Sequence, residues 1–293
     1  MRLTQLLFIA LLFCYFTSCQ KQVGWTIDPL TGNVQGDTTP HSGNPSGDLL
    51  VKIVGVTGAE TITTTFTYDS SKHLLTEYAL GSGGGFAIDS YKKYYRDSSG
   101  RIYKIAQLVK QAGIPVDTSF TQVYYDDPDS KNFLYTVQEV SVMGIGTRDS
   151  SVYTFDGNGN MGLQKSYVSS ALLGGAPELT NQWEYTYAGG NLVSQKVLTG
   201  NNTGALKLIA TYKFTYDNRS NPMILNGEAF LTGRIESASK NNLTKLEIID
   251  AENTSNNFTI TTSLLYGSSN KPATVSATLM PSGQVTNYTF YYQ

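Results

Sequence analysis

Residues 151–168 read SVYTFDGNGNMGLQKSYV. Tyr153 and Phe155 alternate with the polar Thr154, Asp156-Gly157-Asn158-Gly159-Asn160 follows, and Met161 to Val168 runs on as a second segment. Apolar residues at every second position are the mark of a strand with one polar face. A helix would need them three and four residues apart. Gly, Asn and Asp tolerate the backbone angles of a short hairpin turn. The stretch therefore predicts strand, tight turn and returning strand.

The unit recurs about every 30 residues, and recurrence decides a fold before any local reading does. Strand endings fall at Tyr68-Asp69, Tyr95-Arg96-Asp97, Tyr125-Asp126, Phe155-Asp156, Tyr187, Tyr216-Asp217, Tyr266 and Tyr292. Counting back from them gives Phe66, Tyr91, Val123, Tyr153, Trp183 with Tyr185, Tyr212 with Phe214, Leu264, and Tyr288 with Phe290. Thr65, Thr67, Glu184, Thr186, Lys213, Thr215 and Thr289 lie between them. Turns such as Asp97-Ser98-Ser99-Gly100 and Ala188-Gly189-Gly190-Asn191 precede second strands at Arg101 to Leu108 and Leu192 to Leu198. The spacing breaks once, between Tyr216 and Tyr266; that gap predicts a helical or irregular excursion and then a strand at Leu243 to Ile249. The pattern predicts an all-β protein, an antiparallel meander of about 14–16 strands built from hairpins and curled into a soluble barrel or strongly bent sheet, because long open sheets expose edges that aggregate.

Upstream the composition changes. Arg2 precedes an apolar run from Leu6 to Phe16, which is too short to span a bilayer and fits a signal-peptide core. Phe16-Thr17-Ser18-Cys19 resembles the lipobox of bacterial lipoproteins, with Phe16 where Leu is more usual. That resemblance implies cleavage before Cys19, lipidation of Cys19 and a signal peptide over 1–18. Cys14 falls in the removed part, leaving no thiol pair for a disulfide and none for metal binding or catalysis. Residues 19–47, with Pro29, Pro40 and Pro45 among Gly, Thr and Asn, read as a flexible tether of roughly 30 Å reach. No acidic run follows Cys19, so periplasm-facing and surface-facing placement at the outer membrane both stay open. The remainder, 48–293, is one repetitive domain.

The tyrosine-aspartate hairpins, Tyr216-Asp217-Asn218-Arg219-Ser220-Asn221-Pro222, Ser239-Lys240-Asn241-Asn242 and Tyr288-Thr289-Phe290-Tyr291-Tyr292 together resemble a family of Gram-negative lipoproteins of unknown function with a porin-like β fold. The units are also similar to the tyrosine-aspartate (Rhs-type) repeats of wrapped β shells. The resemblance covers nearly all of 48–293 and brings no catalytic residues with it.

Several chemistries can be weighed directly. A net charge of −2 offers no basic field for nucleic acid. Gly157, Gly159 and Gly162 match a dinucleotide fingerprint, with Glu178 about 20 residues on, but a returning strand stands where that motif needs a helix. Asp156, Asn158 and Asn160 fit the start of a calcium loop, which would need Gly and Glu where Met161 and Tyr167 stand. Asp126-Asp127-Pro128-Asp129 is a second acidic cluster that could hold calcium, although carboxylates in turns are usually solvated or cap local N–H groups. The two histidines, His41 and His73, cannot build a metal site, and His73 has no nucleophile motif near it. No cofactor is implied. Glu77, Glu139, Glu184 and Glu228 are candidates for the paired carboxylates of a glycosidase, although single Glu residues on strands ordinarily face solvent. Aromatic ladders either pack across strands or stack on sugars. Trp183, placed by its position near a loop at a rim, and Trp25 in the tether are the two aromatics set apart from that packing. The sequence thus points to a lipid-anchored, non-enzymatic envelope protein that binds a glycan or another envelope protein; a glycoside-acting enzyme and a purely structural lipoprotein are the alternatives.

Overall fold

The computed structural model describes residues 49–83, 86–110, 118–127, 129–142, 145–170, 175–200 and 205–293. The expected signal peptide, Cys19, the tether and Trp25 lie outside them. The strands come as β1 (Leu50–Thr57), β2 (Glu60–Tyr68), β3 (Leu74–Gly83), β4 (Phe86–Arg96), β5 (Ile102–Lys110), β6 (Ser119–Tyr125), β7 (Phe133–Val142) and β8 (Ile145–Phe155). They continue as β9 (Met161–Ser170), β10 (Glu178–Ala188), β11 (Asn191–Gly200), β12 (Leu206–Ser220), β13 (Asn241–Asp250), β14 (Phe258–Tyr266), β15 (Pro272–Met280) and β16 (Gln284–Tyr292). Each pairs antiparallel with its sequence neighbours, and β16 pairs back onto β1, so the meander of 16 strands closes into a barrel. Two backbone hydrogen bonds between Leu49 and Gln293 finish the seam.

The strand endings carry the register. Shifts in pairing fall at Tyr68, Arg96, Tyr125, Phe155, Tyr187, Tyr216 and Tyr266, one at the end of each even-numbered strand that leads into a tight turn or into the excursion. Such bulges bend a strand and re-aim the side chain at its tip. Here they turn the tip residues toward the axis. Just past each turn, the returning strand starts with a fully enclosed residue: Leu74, Ile102, Phe133, Met161 and Leu192, with Leu50 in the same place on β1. The core therefore sits at one end of the barrel, the end that also holds both described termini.

The excursion between β12 and β13 closes that end. Residues 221–240 contain α1 (Glu228–Thr232) and a 3-10 turn at Ile235–Ala238, and they fold into the barrel mouth instead of out over the rim. Phe230 meets the Tyr185 ring edge-on at 4.8 Å, and Gly227 lies so close to Phe155 that a Cβ would stand 3.0 Å from its ring. Met223 is buried and Leu225, Leu231 and Ile235 pack on the same core. This segment is a plug.

Pairing also fixes which face is which. On β4 the alternation read from sequence set Tyr91 and Tyr95 on the core face, but Tyr94 is the enclosed residue and Tyr95 points outward. The reason is that Arg96, not Tyr95, occupies the position next to the turn aspartate. The outward face of β10 to β13 carries Glu184, Lys196, Lys213, Lys245 and Glu247 among threonines and serines. This sector is charged and polar, whereas Tyr103, Tyr124, Leu134 and Val152 are exposed on β5 to β8. Among the described residues no helix is long and apolar enough to cross a membrane.

Candidate functional site

The hairpin turns are built by their aspartates. Asp97 Oδ1 accepts the N–H groups of Ser99 and Arg101 at 2.9 and 3.0 Å, and Oδ2 takes the Arg101 Nε at 2.8 Å. Asp69 does the same with Ser71, His73 and the His73 ring, and Asp156 with Asn158, Asn160 and the Asn160 amide. The residue before the last, Lys72, Gly100 or Gly159, has positive φ in all three. Burial alone would raise the Asp97 carboxyl, but Arg101 and the turn N–H groups outweigh it and lower it. Asp156, Asn158 and Asn160 are thus occupied with their own turn, and Asp127 Oδ1 likewise caps Asp129 N at 2.8 Å. No group of three or more His, Cys, Asp or Glu among the described residues is placed to hold a metal ion.

The tyrosines before these turns do a second job. Tyr68 OH donates to Leu50 O at 2.7 Å, Tyr125 OH to Ile102 O at 3.1 Å, Tyr216 OH to Leu192 O at 2.6 Å and Tyr292 OH to Pro272 O at 2.8 Å. Each ties the tip of one strand to the start of the strand before it. Arg96 fills the same role on β4, donating Nε and Nη2 to Leu74 O at 3.3 and 3.1 Å.

The plug is held by ions that the sequence scatters widely. Arg234, at its base, grips Glu77 of β3 with Nη2–Oε1 2.6 Å and Nε–Oε2 3.0 Å across 157 residues of chain. Arg96 takes Glu228 with two bonds of 2.7 and 2.8 Å. Lys92 Nζ donates to Thr232 O at 3.0 Å. Glu77 is 4% exposed, so it is no solvated strand residue as its sequence setting suggested. Burial alone would raise its carboxyl; Arg234 and then Lys92 overcome that and lower it. Burial lowers the Lys92 ammonium in turn. Glu236 differs: its side chain is 33% exposed, yet Oε2 is enclosed without a hydrogen-bond partner, and burial raises its carboxyl despite Arg234.

The two polar segments quoted for the family resemblance meet under this plug. Ser239 Oγ donates to Tyr216 OH at 2.8 Å and accepts Leu192 N at 3.0 Å. Asn221 sends its amide to the carbonyls of Glu236 and Ser239 at 2.9 and 3.1 Å. Asp217 accepts Arg219 N, Asn242 N and the Tyr266 hydroxyl. Both segments fasten the plug to the barrel end.

Of the candidate residues, Trp183 stands mid-strand in β10, not at a rim. It is half-buried, faces inward between Gln164 and Val197, and packs on the upper edge of the core. Beyond it, toward the opposite end, inward residues such as Gln138, Asp149, Ser151, Ser166 and Leu264 stay half-accessible. Sequence reasoning missed this interior because it depends on closure. Glu77 and Glu228 are brought into the barrel mouth but are each gripped by an arginine, while Glu139 is exposed and Glu184 faces outward toward Lys196. A notch of about 410 Å³ lies between the turns at 156–160 and 189–190, where Asp156 is already committed to its own turn.

The barrel is similar to crystal structures of two porin-like proteins. One, from Bacteroides uniformis, aligns with TM-score 0.52 at 11% identity over 86% of this chain and 99% of that one. The other, from Bacteroides vulgatus, gives TM-score 0.54 at 10% identity over 84% and 99%. At these identities the likeness is one of fold. No family model matches the chain, and none of the curated proteins does.

Proposed function

We propose that this protein is a non-enzymatic binding protein of the Gram-negative outer membrane, anchored through a lipid on Cys19 and carrying its barrel on the tether as a receptor for a glycan or another envelope protein. The observation that carries the reading is the plugged mouth. Arg234, Lys92 and Arg96 are matched by Glu77, Glu236 and Glu228 inside a filled barrel end, which therefore offers no through-pore. The charged outward face of β10 to β13 supports an anchored barrel over an inserted one. The porin-like neighbours support an envelope setting. A glycosidase would need two available carboxylates about 5–9.5 Å apart in a cleft. Glu77 and Glu228, the two sequence candidates that reach the barrel mouth, are instead in two-point arginine pairs, which favours binding over turnover there.

The test has two parts. Radiolabelled palmitate should enter the full chain and not its Cys19→Ser variant; equal labelling, or none in either, sinks the anchor. A glycan array on the chain from residue 20 onward, with product analysis on every hit, should give binding without hydrolysis. Cleaved product would make the glycoside-acting reading the right one, and a blank array with envelope cross-links would move the partner to a protein.

A further inference from the structure

The half of the barrel beyond Trp183 has two unlike walls. On one, pairing sets Thr121, Gln138 and Asp149 in a cross-strand ladder, with Thr136, Ser151, Ser166, Asn181 and Thr199 in the next. Thr136 is buried and the rest are half-buried, and neighbours such as Ser151 and Ser166 bond to each other at 2.6 Å. Burial raises the Asp149 carboxyl; pairing carries its ladder on through Val168 to Glu178, and the second ladder on from Thr199 to Lys207, which is ion-paired with Glu252. The facing wall carries an apolar ladder: Leu264, Val275, Tyr288, Gly55, Ile62 and Ile88 lie along it, with Gly81 between the last two, and Thr262, Thr286 and Thr57 on the same strands lie beyond it. Tyr288 lies across Gly55, where an added Cβ would stand 2.9 and 3.0 Å from its ring atoms. The absent side chain lets the ring rest on the wall instead of standing into the lumen. At the bottom Glu236 and Trp183 close the space, with Glu236 near enough to Tyr288 to add to the burial that pushes its hydroxyl up to about 12.

Amides and hydroxyls offer donors and acceptors in pairs, the pattern that vicinal sugar hydroxyls match. Aromatic and aliphatic walls take the C–H faces of the same ring. Among the described residues of these ladders the one cation, Lys207, is already paired with Glu252, which leaves none free to favour an anion. We propose that the lumen is a cup for an uncharged oligosaccharide, laid with its hydroxyl edge on the Gln138–Asp149 and Ser151–Ser166 ladders and its apolar face on Tyr288, with the plug as floor. This rests on the glycan-binding reading above and gives that reading a place in the fold.

The chain from residue 20 onward has no cysteine, so one can be placed at will. Ser166→Cys puts a thiol in the cup, and Ser263→Cys puts one on the outward face of β14. Each folded variant is labelled with a bulky maleimide and titrated calorimetrically with chitotetraose, maltotetraose, cellotetraose and tetragalacturonate. The expected result is that a neutral tetrasaccharide binds, at least tenfold more weakly after labelling at 166 and unchanged after labelling at 263. Gln138→Leu, which needs no label, should weaken the same sugar about tenfold at an unchanged melting temperature. Binding untouched by both changes overturns the cup and leaves glycan binding standing elsewhere on the molecule. Binding of tetragalacturonate alone overturns the uncharged ligand. No binding by any member overturns the cup and the glycan reading together.

Discussion

Asp69, Asp97 and Asp156 each organise a tight turn by accepting two backbone N–H groups and one side chain, and Tyr68, Tyr125, Tyr216 and Tyr292 each stitch the end of a strand to the start of the preceding one. Both are local devices with separable effects. Asp97→Ala removes three acceptor contacts at a partly exposed site and should cost about 1–2 kcal/mol in chemical denaturation. Tyr216→Phe keeps the ring but leaves Leu192 O and Ser239 Oγ without their shared hydroxyl, and should cost about 1–2 kcal/mol. If Tyr216→Phe is neutral while Asp97→Ala is not, the stitch is an accompaniment of the fold and not a support. Ile102→Ala, in the ring of enclosed strand-starting residues, should cost about 2–5 kcal/mol by the same assay.

At the scale of the element, the plug depends on paired charges. Removing one partner leaves the other buried and alone, which typically costs about 3–5 kcal/mol. Arg234→Met should lower stability by that much, and Glu77→Leu added to it should recover most of the loss, because Lys92 and Glu236 still balance. A double variant as unstable as the single one would mean that packing around Arg234, including its stacking 4.7 Å over Phe66, matters more than charge. The pH dependence has a definite sign. Glu77 has a lowered pKa in the fold, so its contribution is complete above the unfolded value of about 4.3 and is lost as pH falls through the folded value. The melting-temperature gap between the native chain and Glu77→Gln should therefore be widest near neutrality and shrink below about pH 4. A gap constant with pH would show that Glu77 is not ionised in the barrel.

At the scale of the molecule, closure removes every sheet edge. Deleting 284–293 takes away β16 and leaves β1 and β15 with open edges. Size-exclusion chromatography should then show higher oligomers in place of a monomer; a stable monomer would mean the seam contributes little. Much of this architecture is legible from residues near one another in the chain. Alternation at Tyr153 and Phe155 gave a strand, Asp156-Gly157-Asn158-Gly159-Asn160 gave its turn, and the long gap after Tyr216 gave an irregular insertion. Each of these signals is carried by backbone geometry and by neighbours within a few residues. Local pattern therefore suffices for the all-β meander, its hairpins and its turn chemistry. Long-range packing settles that β1 meets β16, that the insertion turns inward, that Arg96 replaces a tyrosine and so sends Tyr95 outside, and that Glu77 faces Arg234. A charged residue on a strand looks solvated until closure chooses its face. Partners 157 residues apart leave no trace in local patterning, because the energy that joins them exists only once the barrel has brought them into a space from which water is excluded.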